Sequence, residues 1–222
     1  MSRPLDVVVL ISGSGTNLQC LIDGQQRGEL PIRIRAVISN RADAGGLERA
    51  RAAGIPTEVL PHRDYPDREH YDADLVRVID HHEPGLVVLA GFMRILTPGF
   101  VRHYQGRLIN IHPSLLPAYR GLHTHERAIA DGAAAHGCSV HFVIPELDAG
   151  PVIVQARVPV HADDTPETLK ARVQEQEHRI YPLAVRLIAE GRVRLDDDGV
   201  HVDGEPAAKP PAIDAATDVA AL

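Results

Sequence analysis

Two runs in this chain, VVVL (7–10) and LVVLA (86–90), contain no polar residue at all. A strand with one wet face alternates apolar and polar side chains, so runs of this kind belong to strands covered on both faces. The neighbouring segments repeat the theme. LDVVVLI (5–11) is followed by a helical pattern at 17–27, IRIRAVIS (32–39) by a helix around 45–53, and TEVL (57–60) by a long helix near 67–82, after which comes GLVVLAG (85–91). Strand–helix–strand repetition with covered strands predicts an α/β fold with a doubly wound, mostly parallel sheet in the N-terminal half.

The second half reads differently. GCSVHFVI (137–144) and PVIVQARVPV (151–160) are strands joined by the short PELDAG, which predicts an antiparallel return. A long helix opens at Thr165, with Pro166 at its first position and Glu167 and Thr168 in its first turn, and runs to about Glu190. Pro182 is expected to kink it. RVRLDDDGVHV (192–202) could form a small hairpin. The expected organisation is one domain over 1–203, with halves meeting near 105/106. The Pro- and Ala-rich stretch 204–222, with no periodic apolar face, is expected to be mostly disordered.

The bulk properties narrow the function. At 222 residues, 44% hydrophobic and 24% charged, the chain suits an ordinary globular protein, and its core must rest on Val, Leu, Ile and Ala because aromatics make up only 4%. A net charge of −7 argues against broad attachment to nucleic acid or an anionic membrane. No apolar run approaches the ~18 residues of a membrane span, and the N-terminus is not a signal peptide, so a cytoplasmic protein is expected. The two cysteines, Cys20 and Cys138, form neither a framework nor a CxxC pair.

ISGSGTNLQ follows the first strand and opens the first helix, where small residues let backbone N–H groups approach an anion. It lacks the Lys-Ser/Thr of a P-loop, and Leu18 stands where the dinucleotide fingerprint needs its last glycine. A single phosphate held by Gly15, Thr16 and Asn17 fits better than a nucleoside triphosphate or NAD. A tight turn capped by Ser, Thr or Asn, with no ligand, is the alternative at this point.

In RLINIHPSLLPAYRG (107–121), Asn110 and His112 flank Ile111 at the end of a short strand, so both face one side while Ile111 turns into the core. Pro113 then ends the pairing. The ends of parallel strands are where open α/β sheets bind ligands. An amide N–H and a protonated imidazole can both donate to a developing oxyanion. Ser114 lacks the G-x-S-x-G elbow of a serine nucleophile, which favours direct attack of an amine on a carbonyl. The carboxylate that would hold the imidazolium is best supplied by Asp148, in the tight turn PELDAGPVI, although a solvent-facing turn aspartate is the plainer reading. Thirteen histidines invite a metal reading, but Ile129 occupies the second histidine position of an HExxH motif starting at His125, and no workable ligand set appears.

Taken together, VVVLISGSGTNLQ, AVISNRADAGGLERA, VVLAGFMRIL, NIHPSLLP, GLHTH, GCSVHFV and ELDAGPVI resemble the phosphoribosylglycinamide formyltransferase family, the folate-dependent glycinamide ribonucleotide transformylases of purine synthesis. The likeness runs from residue 6 to about 190. It implies the formyltransferase fold and transfer of a formyl group from the cosubstrate 10-formyltetrahydrofolate to the amine of 5'-phosphoribosylglycinamide, without a metal. By motif match, Asn110, His112 and Asp148 would be the catalytic trio, and Gly15, Thr16 and Asn17 would hold the substrate phosphate. Gln174 and Glu177 would help hold the ribonucleotide. Arg68, Met93, Arg94, Ile95 and Leu96 would line the folate pocket, with Asn110 near the formyl group. Ala149 stands where many relatives have another small residue. AYRG (118–121) carries no assigned role.

Three other functions compete. A formyltetrahydrofolate deformylase would use a similar trio with water in place of the amine, but such enzymes resemble this chain with an added N-terminal regulatory domain, whereas the first strand here begins at residue 5. A methionyl-tRNA formyltransferase would carry an RNA-contacting C-terminal domain, and the charge of −7 is unhelpful for tRNA. A phosphate-ligand binder without catalysis would have no need of the trio. The expected partners are therefore small molecules, not nucleic acid or membrane. The sequence leaves the oligomeric state open, with a homodimer as the candidate.

Overall fold

The computed structural model describes residues 3–197, 199–207 and 209–222. They fall into two compact units, 1–110 and 111–222.

In the first unit, β1 (Leu5–Ile11), β2 (Ile32–Ser39), β3 (Thr57–Val59), β4 (Leu86–Leu89) and the start of β5 (Leu108–His112) stand in the order β5-β4-β1-β2-β3. Every pairing among them is parallel. The helices α1 (Thr16–Gln26), α2 (Gly46–Ala52), α3 (Arg68–His81) and α4 (Pro98–His103) supply the crossovers. Val7 to Ile11 and Leu86 to Val88 are wholly buried, the double cover that the unbroken apolar runs predict. The chain moves outward from β1 to β2 and β3, then returns to β4 on the other side of β1. The strand order thus reverses between β1 and β4, and the crevice beyond such a switch point is where doubly wound sheets take their ligands.

In the second unit, β6 (Ala135–Phe142) and β7 (Val152–Pro159) are antiparallel, as the short PELDAG connection requires. The 24-residue α6 (Pro166–Ala189) packs across both. Thr165 closes a capping box with Thr168, Pro166 follows at the first turn, and Pro182 lies inside the helix. α5 (Thr124–Ala130) precedes β6. A separate three-stranded antiparallel sheet follows α6, made of β8 (Val193–Asp196), β9 (Gly199–Val202) and β10 (Glu205–Pro206). Asp198, in the connection of the expected hairpin, lies outside the described residues.

Within the stretch 204–222, for which the sequence predicts mostly disorder, the structure shows short strand pairing, with Ala208 outside the described residues. β11 (Ala212–Ile213) pairs in parallel with Gln155 and Ala156 of β7. Ile213 is 4% exposed. Arg179 donates to the carbonyls of Asp214 and Thr217, and Arg186 to that of Val219 at 3.0 Å. Arginine forks on α6 and an open sheet edge order a segment whose own side chains are too small to form a core stripe.

Candidate active site

The turn after β1 is built for close backbone approach. Gly15 has φ +73°, and a Cβ there would stand 2.6 Å from the Cα of Gly46. Only glycine meets both conditions without strain. Gly46 N–H donates to the Gly13 carbonyl at 3.0 Å, and Arg49 Nε donates to the Ser14 carbonyl at 2.7 Å, so α2 braces the turn from behind. Gly15 is the N-cap of α1, no side chain caps that helix end, and no acidic residue occupies its first turn. A helix N-terminus with positive macrodipole potential, opened by glycine and by half-buried Thr16 and Asn17, suits a phosphate.

After β4 the same unit carries Met93, Arg94, Ile95 and Leu96. Met93 is 75% and Ile95 60% exposed, unusual for large apolar side chains and suited to covering a flat apolar ring. α3 braces this segment. The Arg94 guanidinium lies 4.6 Å from the centre of the Tyr71 ring, and Asp72 Oδ2 accepts from Thr97 N at 2.6 Å. Arg68, in the first turn of α3, is exposed.

Asn110 and His112 leave β5 on one side, two residues apart. In the second unit, His112 Nδ1 lies 3.4 Å from Asp148 Oδ2, with side-chain exposures of 7% and 8%. His112 Nε2 lies 2.9 Å from the carbonyl oxygen of Tyr119. A carbonyl only accepts, so this contact places the ring proton on Nε2, and only the doubly protonated ring could donate to both neighbours. Asp148 Oδ2 also accepts from Gly121 N at 2.9 Å.

Asp148 is aimed by its turn. Its φ is +49°, uncommon for a residue with a side chain. Gly150 makes that turn feasible, because a Cβ there would fall 1.7 Å from the Phe142 carbonyl oxygen. Phe142 N–H meanwhile donates to the Pro151 carbonyl at 2.9 Å. On the far side of Asp148, His141 is 2% exposed, its Nδ1 is 3.0 Å from the Phe142 carbonyl oxygen, and its Nε2 is 3.9 Å from Asp148 Oδ1. Burial pushes the His141 imidazole down to about 4, so at neutral pH it faces Asp148 as a neutral ring.

Three supports of this pair escape sequence reading. Tyr119 and Gly121 act through backbone atoms, and a main-chain carbonyl or N–H has no sequence signature. They lie in the AYRG stretch, where Arg120 also meets Glu146 at 2.8 Å. His141 lies inside the apolar strand pattern GCSVHFVI, which carries no signal of a polar neighbour such as Asp148. Gln174 and Glu177 sit three apart on α6, hence on one face, and both are half-buried. Among the described residues no group of three or more His, Cys, Asp or Glu side chains is placed to hold a metal ion.

A doubly wound sheet with a glycine turn at its switch point, and a buried imidazole–carboxylate pair in the following unit, is the arrangement of an α/β enzyme. A family model described as formyl transferase matches residues 5–185, and the chain belongs to that family. It is 55% identical over 201 residues to phosphoribosylglycinamide formyltransferase of Escherichia coli, covering 90% of this chain and 95% of the relative. It also matches the human trifunctional purine biosynthetic protein adenosine-3 at 46% identity, over 87% of this chain but only 19% of that protein. Among solved structures, phosphoribosylglycinamide formyltransferase of Coxiella burnetii in complex with CHES superposes with a TM-score of 0.91 at 56% identity, covering 95% of this chain and 99% of that one.

Proposed function

We propose that this protein transfers the formyl group of 10-formyltetrahydrofolate to the amine of 5'-phosphoribosylglycinamide, giving the N-formyl product and tetrahydrofolate in purine synthesis. The observation that carries the reading is the buried His112–Asp148 pair at the end of the strand that also bears Asn110. The neutral amine attacks the formyl carbon, and the carbonyl oxygen gains charge that Asn110 Nδ2 and the His112 ring stabilise by donation. Asp148 orients the ring and supports its charge. The amine proton leaves through this pair to the folate nitrogen as the formyl C–N bond breaks, so no net proton is released. Because His112 Nε2 is bound to the Tyr119 carbonyl, that carbonyl withdraws when Nε2 turns to substrate.

Gly15, Thr16 and Asn17 hold the substrate phosphate, and Gln174 and Glu177 contact the ribose. Met93 to Leu96, with Arg68, receive the folate. The deformylase reading is not favoured, because relatives named as transferases match nearly end to end. Small molecules are the proposed partners and the cytoplasm the proposed location. Among the described residues no helix is long and apolar enough to cross a membrane. Light scattering reads the oligomeric state, for which a homodimer is the candidate.

The deciding experiment mixes protein with 10-formyltetrahydrofolate, with and without glycinamide ribonucleotide, and follows the folate product. Turnover that requires the amine supports the transferase. Turnover without it makes the protein a hydrolase, and none in either case leaves a binder.

A further inference from the structure

One hydroxyl spans the switch point of the first unit. Ser12, directly after β1, is 6% exposed, and Asn40, directly after β2, is 4% exposed. Ser12 Oγ donates to Asn40 Oδ1 at 2.5 Å and accepts from Met93 N at 2.8 Å. The Ser12 N–H also donates to the Gly91 carbonyl at 3.1 Å. Asn40 Nδ2 in turn lies 3.2 Å from His62 Nδ1. A serine hydroxyl has a single proton, and here Asn40 takes it, so a lone pair is left aimed at the Met93 N–H. The residue that starts the glycine turn is thereby tied to the residue that starts the exposed apolar segment after β4.

We infer that Ser12, oriented by Asn40, is a positioning residue for formyl transfer, setting the separation between the phosphate turn and the folate segment. This rests on the assignment of those two segments proposed above. Each segment has its own brace on its outer side, the turn from Gly46 and Arg49, and the folate segment from Tyr71 and Asp72. Removing the hydroxyl therefore leaves both segments supported and joined by the Ser12 N–H to Gly91 carbonyl bond, but without the side-chain link from Asn40 through Ser12 to Met93. Attack of one bound substrate on another needs the reacting atoms about 3–3.5 Å apart, and a misplacement of about 1 Å can lower the rate about 100-fold. The loss then falls on turnover and not on the affinity for either ligand alone.

The test compares Ser12→Ala, Asn40→Ala and the hydroxyl-retaining Ser12→Thr with the parent enzyme. It measures kcat at saturation, the Kd of glycinamide ribonucleotide and of tetrahydrofolate separately by calorimetry, and thermal unfolding. The expected result is a kcat lowered roughly 10- to 100-fold in both alanine variants, each single-ligand Kd within about threefold of the parent, and Ser12→Thr near the parent rate. A Ser12→Ala kcat within about threefold of the parent overturns the inference. So does a parallel loss of kcat, both affinities and folding in the two alanine variants, which would make the hydroxyl a structural support only. Asn17→Ala and Ile95→Ala, run alongside, test the segments themselves. If neither weakens its own ligand, the assignment of the segments fails; if both do while Ser12→Ala turns over normally, only the coupling fails.

Discussion

Asp148 Oδ2 stands 3.4 Å from His112 Nδ1 while the same oxygen accepts the Gly121 N–H at 2.9 Å. The carboxylate is thus held by backbone and aimed at the ring. Asp148→Asn keeps the shape but removes the charge and can present an amide N–H to Nδ1. We predict a loss of turnover of about 10²- to 10⁴-fold, a changed pH–rate profile, and folate affinity close to that of the parent. A profile superimposable on the parent's would contradict any role of Asp148 through His112.

For Asn110 the expectation is set by oxyanion-hole donors in general, whose removal costs about 2.7–4 kcal/mol. Asn110→Ala should lower kcat by two to three orders of magnitude, with little effect on the affinity for glycinamide ribonucleotide. Steady-state kinetics checks this, and a variant within about threefold of the parent rate would remove the oxyanion role.

The parallel sheet was legible because VVVL and LVVLA leave no polar face to expose, and the capped long helix because Thr165-Pro166 marks its start. The glycine turn after β1 was legible in outline, since small residues between a strand and a helix mark a close backbone approach. What remained hidden acts through backbone or through packing. The Tyr119 carbonyl on His112 and the Gly121 N–H on Asp148 belong to main-chain groups that every residue carries. Short helices such as α4 and α5 span too few turns for a periodic stripe to emerge. β11 is two residues long, and its order comes from distant arginines rather than from its own composition.

The protein should lose stability in acid faster than its carboxylates alone require. His136 is 1% exposed, and burial, with repulsion from His125 adding to it, pushes its imidazole down to about 4. His141 is likewise pushed down to about 4 by burial. Unfolded histidines titrate near ~6.5, so between that pH and about 4 the unfolded chain binds more protons than the fold and stability falls as the pH falls. At pH 4.5 each ring contributes a loss of roughly 2–3 kcal/mol on that basis. In His136→Phe, urea unfolding at pH 7 and pH 4.5 should show an acid loss smaller by roughly that amount. An equal loss in parent and variant would mean that His136 does not carry this penalty.

Gly150 sets the Asp148 turn, so its effect should be local to catalysis before it is global. Gly150→Ala places a methyl group against the Phe142 carbonyl, which forces β6 and the turn apart. We expect kcat to fall at least about tenfold, with a destabilisation of about 1–3 kcal/mol from overpacking. If the variant keeps the parent kcat, the turn tolerates the shift and the aim of Asp148 does not depend on it.

Removing the last segment should expose what it covers. β11 satisfies Gln155 and Ala156 on the β7 edge, Gln155 N–H donates to the Pro211 carbonyl at 3.0 Å, and Ile213 buries its side chain. An open edge strand with an apolar groove beside it is a template for pairing with other chains. A chain ending at residue 209 should therefore aggregate at lower concentration and temperature than the parent, while Ile213→Ala in the full chain should cost about 2–4 kcal/mol. The single substitution separates the two effects, because it keeps the β11 ladder and removes only the buried side chain. If the shortened chain stays as dispersed as the parent in light scattering and unfolds at the same urea concentration, the segment neither protects the edge nor stabilises the fold.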